Sequence, residues 1–247
     1  MNVMTPEIWV FFSVALIAIA FLYASVGHGG ASGYIALMAA FSFPVDYIKP
    51  TALILNIFIS GISFWYFKKH NHFKWTLFYP FAIASMPAAF LGGYITIDAQ
   101  LYKIILAIFL LIAIFRILFS SKETRENKTD FKIPLALVIG FLIGLFSGMI
   151  GIGGGIILSP IIILLGWGNM KEAAAVSALF IFANSIAAIV GYSFNHTIEM
   201  DSFKLIPIAL VGGFFGAVYG SHKIPNTVLK YILAFVLLIA CFKLTLL

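Results

Sequence analysis

The sequence is poor in charge and nearly devoid of cysteine. Asp, Glu, Lys and Arg make up 10% of the 247 residues, where a soluble domain carries about 25%. That scarcity excludes an ordinary soluble protein. The single cysteine, Cys241, has no partner for an internal disulfide and reads as a small core hydrophobe rather than a redox group. No Gly-x4-Gly-Lys-Ser/Thr run is present, so a nucleotide would need a partner subunit. His70, His72, His196 and His222 show no zinc-ligand spacing and are expected in solvated loops, so neither metal nor cofactor is expected. No Lys or Arg precedes the first apolar run, and Glu7 does, which argues against a cleaved signal peptide. The net charge of +6 resides in loops and at helix ends. That placement suits cytoplasmic loops beside anionic lipid rather than a nucleic-acid partner.

What the sequence has is apolar length, with 62% of its residues hydrophobic. The pattern predicts an all-α polytopic membrane protein. Five apolar segments fall in each half: 8–26, 31–43, 50–67, 76–95 and 101–119, then 133–150, 154–167, 173–192, 204–220 and 228–246. A full crossing needs about 20 residues, so the second segment of each half is short. The expected organisation is a first transmembrane repeat over 1–121, a charged cytoplasmic linker over 122–132 and a second repeat over 133–247. Whether the short segments cross fully is open at this point.

A glycine-rich break opens each short segment. The second copy is Gly151-Ile152-Gly153-Gly154-Gly155, followed by Ser159-Pro160; the first is Gly27-His28-Gly29-Gly30-Ala31-Ser32-Gly33. Open backbone at membrane depth is tolerated only where protein buries it or a wet cavity borders it. Matching breaks in two matching halves point to a transporter's binding site. Two readings are open. In one, the helix ends form an anion site, with free N–H groups and the positive dipole end aimed at the break. Alternatively, the glycines only let helices cross closely.

The halves match elsewhere. Lys103–Ala113 resembles Lys230–Ala240, and Ser85, Ala89 and Gly93 match Gly212, Gly216 and Gly220 at the same spacing. Ala20 and Ala24 match Gly144 and Gly148, and Pro80 matches Pro207. These matches predict a duplication, and the small-residue stripes predict close helix pairs. Lys68, Lys69 and Lys74 place their loop in the cytoplasm with the linker, whereas the 195–203 loop carries Glu199 and Asp201. That distribution fits two five-helix repeats of opposite orientation. Trp9, Trp65, Trp75 and Trp167 are expected in the aromatic belts.

No charged residue falls at the centre of a predicted span, which argues against a buried carboxylate relay. Candidate substrate-binding residues are therefore Gly27, His28, Gly29, Gly30 and Ser32 of the first break, and Gly151, Gly153, Gly154 and Gly155 of the second. Asn56, Ser177 and Asn184 join them from helix faces that also carry Ser60 and Ser63. For these polar groups, pathway lining and interhelical hydrogen bonding are both open. Ser25, Ser147 and Ser159 flank the breaks, and Pro160 is expected to bend its short helix. His28 is a candidate carrier of a coupling proton. Gly30-Ala31-Ser32-Gly33 also fits the Gly-x-Ser-Gly pattern of rhomboid-type intramembrane serine proteases. The second copy has Ile156 in place of Ser32, so no enzyme activity is expected.

At these breaks the chain resembles the TauE/SafE family of sulfite exporters, also called the toluene sulfonate uptake permease family. The resemblance covers nearly the whole chain, and Gly151–Gly155 with Pro160 is its more characteristic motif. It implies a small sulfur-containing anion as substrate: sulfite, a related oxyanion or an organosulfonate. The expectation is a secondary transporter working by alternating access in a bacterial or archaeal cell membrane. A passive anion channel is the alternative, and a homo-oligomer is left open.

Overall fold

The computed structural model describes residues 5–41, 43–95, 130–198, 200–229 and, beyond these, 231, 232, 234, 235 and 238. The fifth segment of the first half, most of the linker, Cys241 and the Lys103–Ala113 match lie outside the described residues. Among the described residues the fold is all-helical. In order come α1 (Pro6–Ser25), α2 (Ala31–Ala40), α3 (Val45–Lys69), α4 (Trp75–Tyr94), α5 (Ile133–Ile150), α6 (Gly155–Leu164), α7 (Met170–Ser193) and α8 (Ile206–Val218). A 3₁₀ turn (Met200–Leu205) leads into α8, and a π turn (Tyr219–Lys223) leaves it. Six of these stretches are long and apolar enough to cross a membrane. The chain is a multi-pass membrane protein.

Two helices start earlier than the apolar pattern suggests. Helix α3 begins at Val45 and carries Asp46, Lys49 and Pro50 inside its first turns. Helix α7 begins at Met170 because Asn169 and Glu172 form a capping box, with Glu172 N–H donating to Asn169 Oδ1 at 3.0 Å. Helix α6 continues through Pro160 to Leu164.

Backbone contact sets the register of the close pairs. A β-carbon on Gly140, Gly144 or Gly148 of α5 would strike the carbonyl oxygen of Phe81, Ser85 or Ala89 of α4. The same relation holds between Gly212, Gly216 and Gly220, in and just beyond α8, and Ile17, Phe21 and Ser25 of α1. Both pairs keep a constant residue offset, so each is parallel. The first helix of each half thus packs closely along the fourth helix of the other half, with the glycine stripe on α5 in one pair and on α8 in the other.

Helices α1 and α2 are antiparallel: Tyr23 OH and Ser32 Oγ are 2.8 Å apart near one end, and Phe12 and Phe41 rings meet at 5.3 Å near the other. Helix α2 runs antiparallel to α3 in turn, with Ala31 beside Asn56 and Phe43 beside Tyr47. Helix α7 lies antiparallel to α3, since Asn56 meets Ser185 and Asp46 meets Tyr192. Consequently α1, α3 and α8 run one way, and α4, α5 and α7 the other.

Large apolar side chains such as Val10, Phe11, Ile83 and Val138 are exposed, as suits a surface facing lipid. Trp65 and Trp75 are exposed near the 68–74 loop. Trp167 departs from the expected belt position: it is buried, packed on Phe131 and Phe81. The bulk of the flanking rings gives it a core to enter.

Candidate functional site

Each glycine break is built by left-handed backbone that other residues rarely adopt. Helix α5 ends at Gly151 with φ 86°, its N–H bonded to Ser147 O at 2.8 Å, and α6 starts from Gly154 with φ 79°. The first break turns at Gly27 (φ 75°) and Gly30 (φ 97°). Each break packs on the start of the other half's third helix. Gly27 lies against the backbone of Ala174 on α7, and Gly151 lies against Lys49 on α3.

The two breaks meet at Asn56, midway along α3. Its Oδ1 accepts from Ala31 N–H at 2.9 Å, capping α2. Its Nδ2 donates to Ile152 O of the second break at 3.0 Å and reaches Ser185 Oγ at 3.4 Å. The residue facing it from α7 is Ile181, which with Asn56 borders both Gly29 and Gly153. Asn184 faces α4 instead: its Oδ1 accepts from Ser85 Oγ at 2.9 Å, and its Nδ2 is buried with no partner among the described residues.

Between the breaks lies a cavity of about 10 Å³, lined by Tyr23, His28, Gly29, Gly30, Ala31, Ser32, Ile152, Ile156 and Ile181. That volume holds about one water. The walls are unlike. The first break supplies polar groups and α2's first turn; the second break and α7 supply three isoleucines. Of the residues expected at a site, His28, Gly29, Gly30 and Ser32 line this space. Gly27 lies behind it. Gly153 and Gly155 pack on Asn56 and Ile181, and Gly154 packs on Ile143 and Phe180.

His28 is almost fully buried, and its Nε2 lies 2.9 Å from Ser159 Oγ on α6. Ser159 in turn donates to Ser177 Oγ on α7 at 2.7 Å. A hydroxyl that donates onward accepts from its other neighbour, so Nε2 carries the imidazole proton. Nδ1 is then a bare acceptor, and it has no partner among the described residues. The chain His28–Ser159–Ser177 ties the first break to the second half. Tyr23 escaped the sequence reading, yet its hydroxyl holds Ser32. A tyrosine in the last turn of α1, just before the first break, was its sequence signal.

Of the loop histidines, His222 is exposed as expected, whereas His70, His72 and His196 are partly buried. His70 and His222 stack at 4.9 Å between centroids, and His72 Nε2 donates to Ser221 O at 3.0 Å. Burial pushes His72 below the usual imidazole range. His196 stacks on Tyr192 at 4.4 Å. Packing between the 68–74 loop and the π turn partly covers His70 and His72. Among the described residues no three His, Cys, Asp or Glu side chains are grouped to hold a metal.

The family model for the sulfite exporter TauE/SafE matches residues 11–244. The probable membrane transporter protein y4hK of Sinorhizobium fredii is 37% identical over 240 residues, covering 94% of this chain and 96% of its own. The probable membrane transporter protein YunE of Bacillus subtilis is 23% identical, covering 77% and 78%. A further probable membrane transporter protein, MJ0441 of Methanocaldococcus jannaschii, is 27% identical over 68% of this chain and 64% of its own. No solved structure matches. With a family match over residues 11–244 that includes both breaks, the chain belongs to the sulfite exporter TauE/SafE family.

Proposed function

We propose that the protein is a secondary transporter of a small anion, sulfite or a related sulfur oxyanion or organosulfonate, working by alternating access. The observation that carries this reading is one cavity bordered by both glycine breaks in the membrane interior. First-turn residues of α2 and α6 border it, and helix N-termini favour anions. A space for one water is too small for sulfite, which has four heavy atoms. Substrate entry therefore requires the breaks to part. Helix directions and reciprocal packing across the halves support an inverted repeat, the architecture in which one group of helices rocks against another. The names of the relatives, and of the family, fit the same reading.

His28 supplies a coupling mechanism. With Nε2–H directed to Ser159, a neutral His28 beside the cavity keeps an unpartnered acceptor at Nδ1, and an acceptor repels an anion. A proton added at Nδ1 turns that acceptor into a charged donor. Anion and proton then bind together and move together.

The test is flux of radiolabelled sulfite into proteoliposomes under an imposed pH gradient. Thiosulfate, sulfate and taurine serve as competitors. Saturable flux driven by the gradient is expected. Flux that rises linearly with concentration would mean a channel instead. Substituting His28→Gln is expected to abolish the response to the gradient; an unchanged response would remove the proton from the mechanism.

A further inference from the structure

Among the described residues the second break packs on a lysine side chain, and the first packs on helix backbone. Lys49 lies in the opening turns of α3 and is half-buried. Its stem covers Gly151, where a β-carbon would lie 2.9 Å from Lys49 Cγ. Its ammonium sits 5.3 Å from the centre of the Tyr192 ring. Among the described residues no carboxylate pairs with it. Asp46, three residues earlier, is exposed, and its backbone carbonyl receives the Tyr192 hydroxyl at 3.3 Å. A partly desolvated ammonium without a counter-ion is costly, and an aromatic face offsets only part of that cost.

The corresponding place at the first break is occupied by Ala174, which packs on Gly27. Nearby, Lys74 and Glu172 neutralise each other in an ion pair. The two approaches to the cavity therefore differ in charge although the halves share a plan. We propose that Lys49 is the anion-capture residue of the mouth bounded by the start of α3 and the end of α7. It draws a compact oxyanion onto the Gly151 side of the second break.

The charge distribution says which face this mouth serves. Lys68, Lys69, Lys74, Lys132, Lys171 and Lys223 gather at the opposite end, around the starts of α4, α5 and α7 and the exit of α8. The Lys49 end carries Glu7, Asp46 and Asp201 beside Lys204. Positive-inside reasoning puts the Lys49 mouth on the extracytoplasmic face. Capture by Lys49 is thus capture from outside.

This proposal rests on the transporter reading, and the experiment separates the two. Sulfite flux is measured for the wild-type protein and for Lys49→Arg, Lys49→Met and Lys49→Gln in proteoliposomes, with thermal unfolding of each as a check of fold. The neutral variants are expected to raise KM on the order of fivefold to tenfold, the scale of one unit charge acting near water, with maximal rate retained and Lys49→Arg close to wild type. The KM difference is expected to shrink as salt rises, because an exposed field is screened. To fix the face, Lys49→Cys is placed in a Cys241→Ala background and treated from one side with membrane-impermeant thiol reagents. A cationic adduct is expected to restore the low KM and an anionic adduct to raise it further. An unchanged KM in folded neutral variants, or equal effects of the two adducts, overturns the role of Lys49 and leaves the transporter reading in place. Absence of saturable flux from folded wild-type protein overturns the transporter reading and this proposal with it.

Discussion

A buried amide with both ends occupied holds the two breaks together. Asn56 is fully buried, caps α2 through Ala31 and fixes Ile152 of the second break. In Asn56→Leu both backbone groups lose their partner in the buried interior. Each such group costs about 1–3 kcal/mol. The variant is therefore expected to melt at a clearly lower temperature in detergent; an unchanged melting temperature would mean that the breaks are held by the glycine packing alone. The residue types at the site were readable from sequence, because polar groups in an apolar chain stand out. Their partners were not. Asn56 and Asn184 were both candidates, yet Asn56 meets Ile181 and Ser185 at the breaks and Asn184 turns toward Ser85. That distinction depends on the register between α3 and α7, which only the packing fixes.

At the scale of helices, the small-residue stripes carry the assembly. The stripe of α5 lies on three successive carbonyls of α4, and the stripe of α8 on three of α1. A methyl group at Gly144 would meet the Ser85 carbonyl and force the pair apart, and overpacking of this kind costs about 1–3 kcal/mol. Gly61 of α3 is different: a β-carbon there would find Phe182 at 3.4 Å, an ordinary contact. Gly144→Ala is expected to lower the melting temperature. Gly61→Ala is expected to be neutral or slightly stabilising, since alanine favours helix over glycine by about 1 kcal/mol. Equal behaviour of the two variants would contradict the close pairing. These stripes were legible because a spacing of four marks one helix face. Which helix each stripe receives was not, since each partner belongs to the other half. The early start of α7 was legible in principle from Asn169 and Glu172, but the apolar run drew attention past it.

For the whole molecule, the decisive quantity is the charge a closed interior can hold. Each helix end contributes roughly half a positive charge, and the first turns of α2 and α6 both border the cavity. Its described lining contains no lysine or arginine, and Lys49 stands outside it. Two helix ends balance about one negative charge. Desolvation grows with the square of the charge, so a dianion costs about four times as much to bury as a monoanion, while its attraction to the helix ends only doubles. With His28 neutral, the site should therefore hold monoanions. Because a ligand that binds only the folded state stabilises it by about 2.7 kcal/mol at a hundred times its dissociation constant, thermal unfolding reads the preference directly. Methanesulfonate, a monoanion with one apolar end to meet Ile152, Ile156 and Ile181, is expected to raise the melting temperature at neutral pH. Sulfate, of similar size but doubly charged, is expected to do so far less at the same ionic strength. Stronger stabilisation by sulfate would mean that a cation joins the anion in the cavity, and His28, which lines it, would be the first residue to substitute.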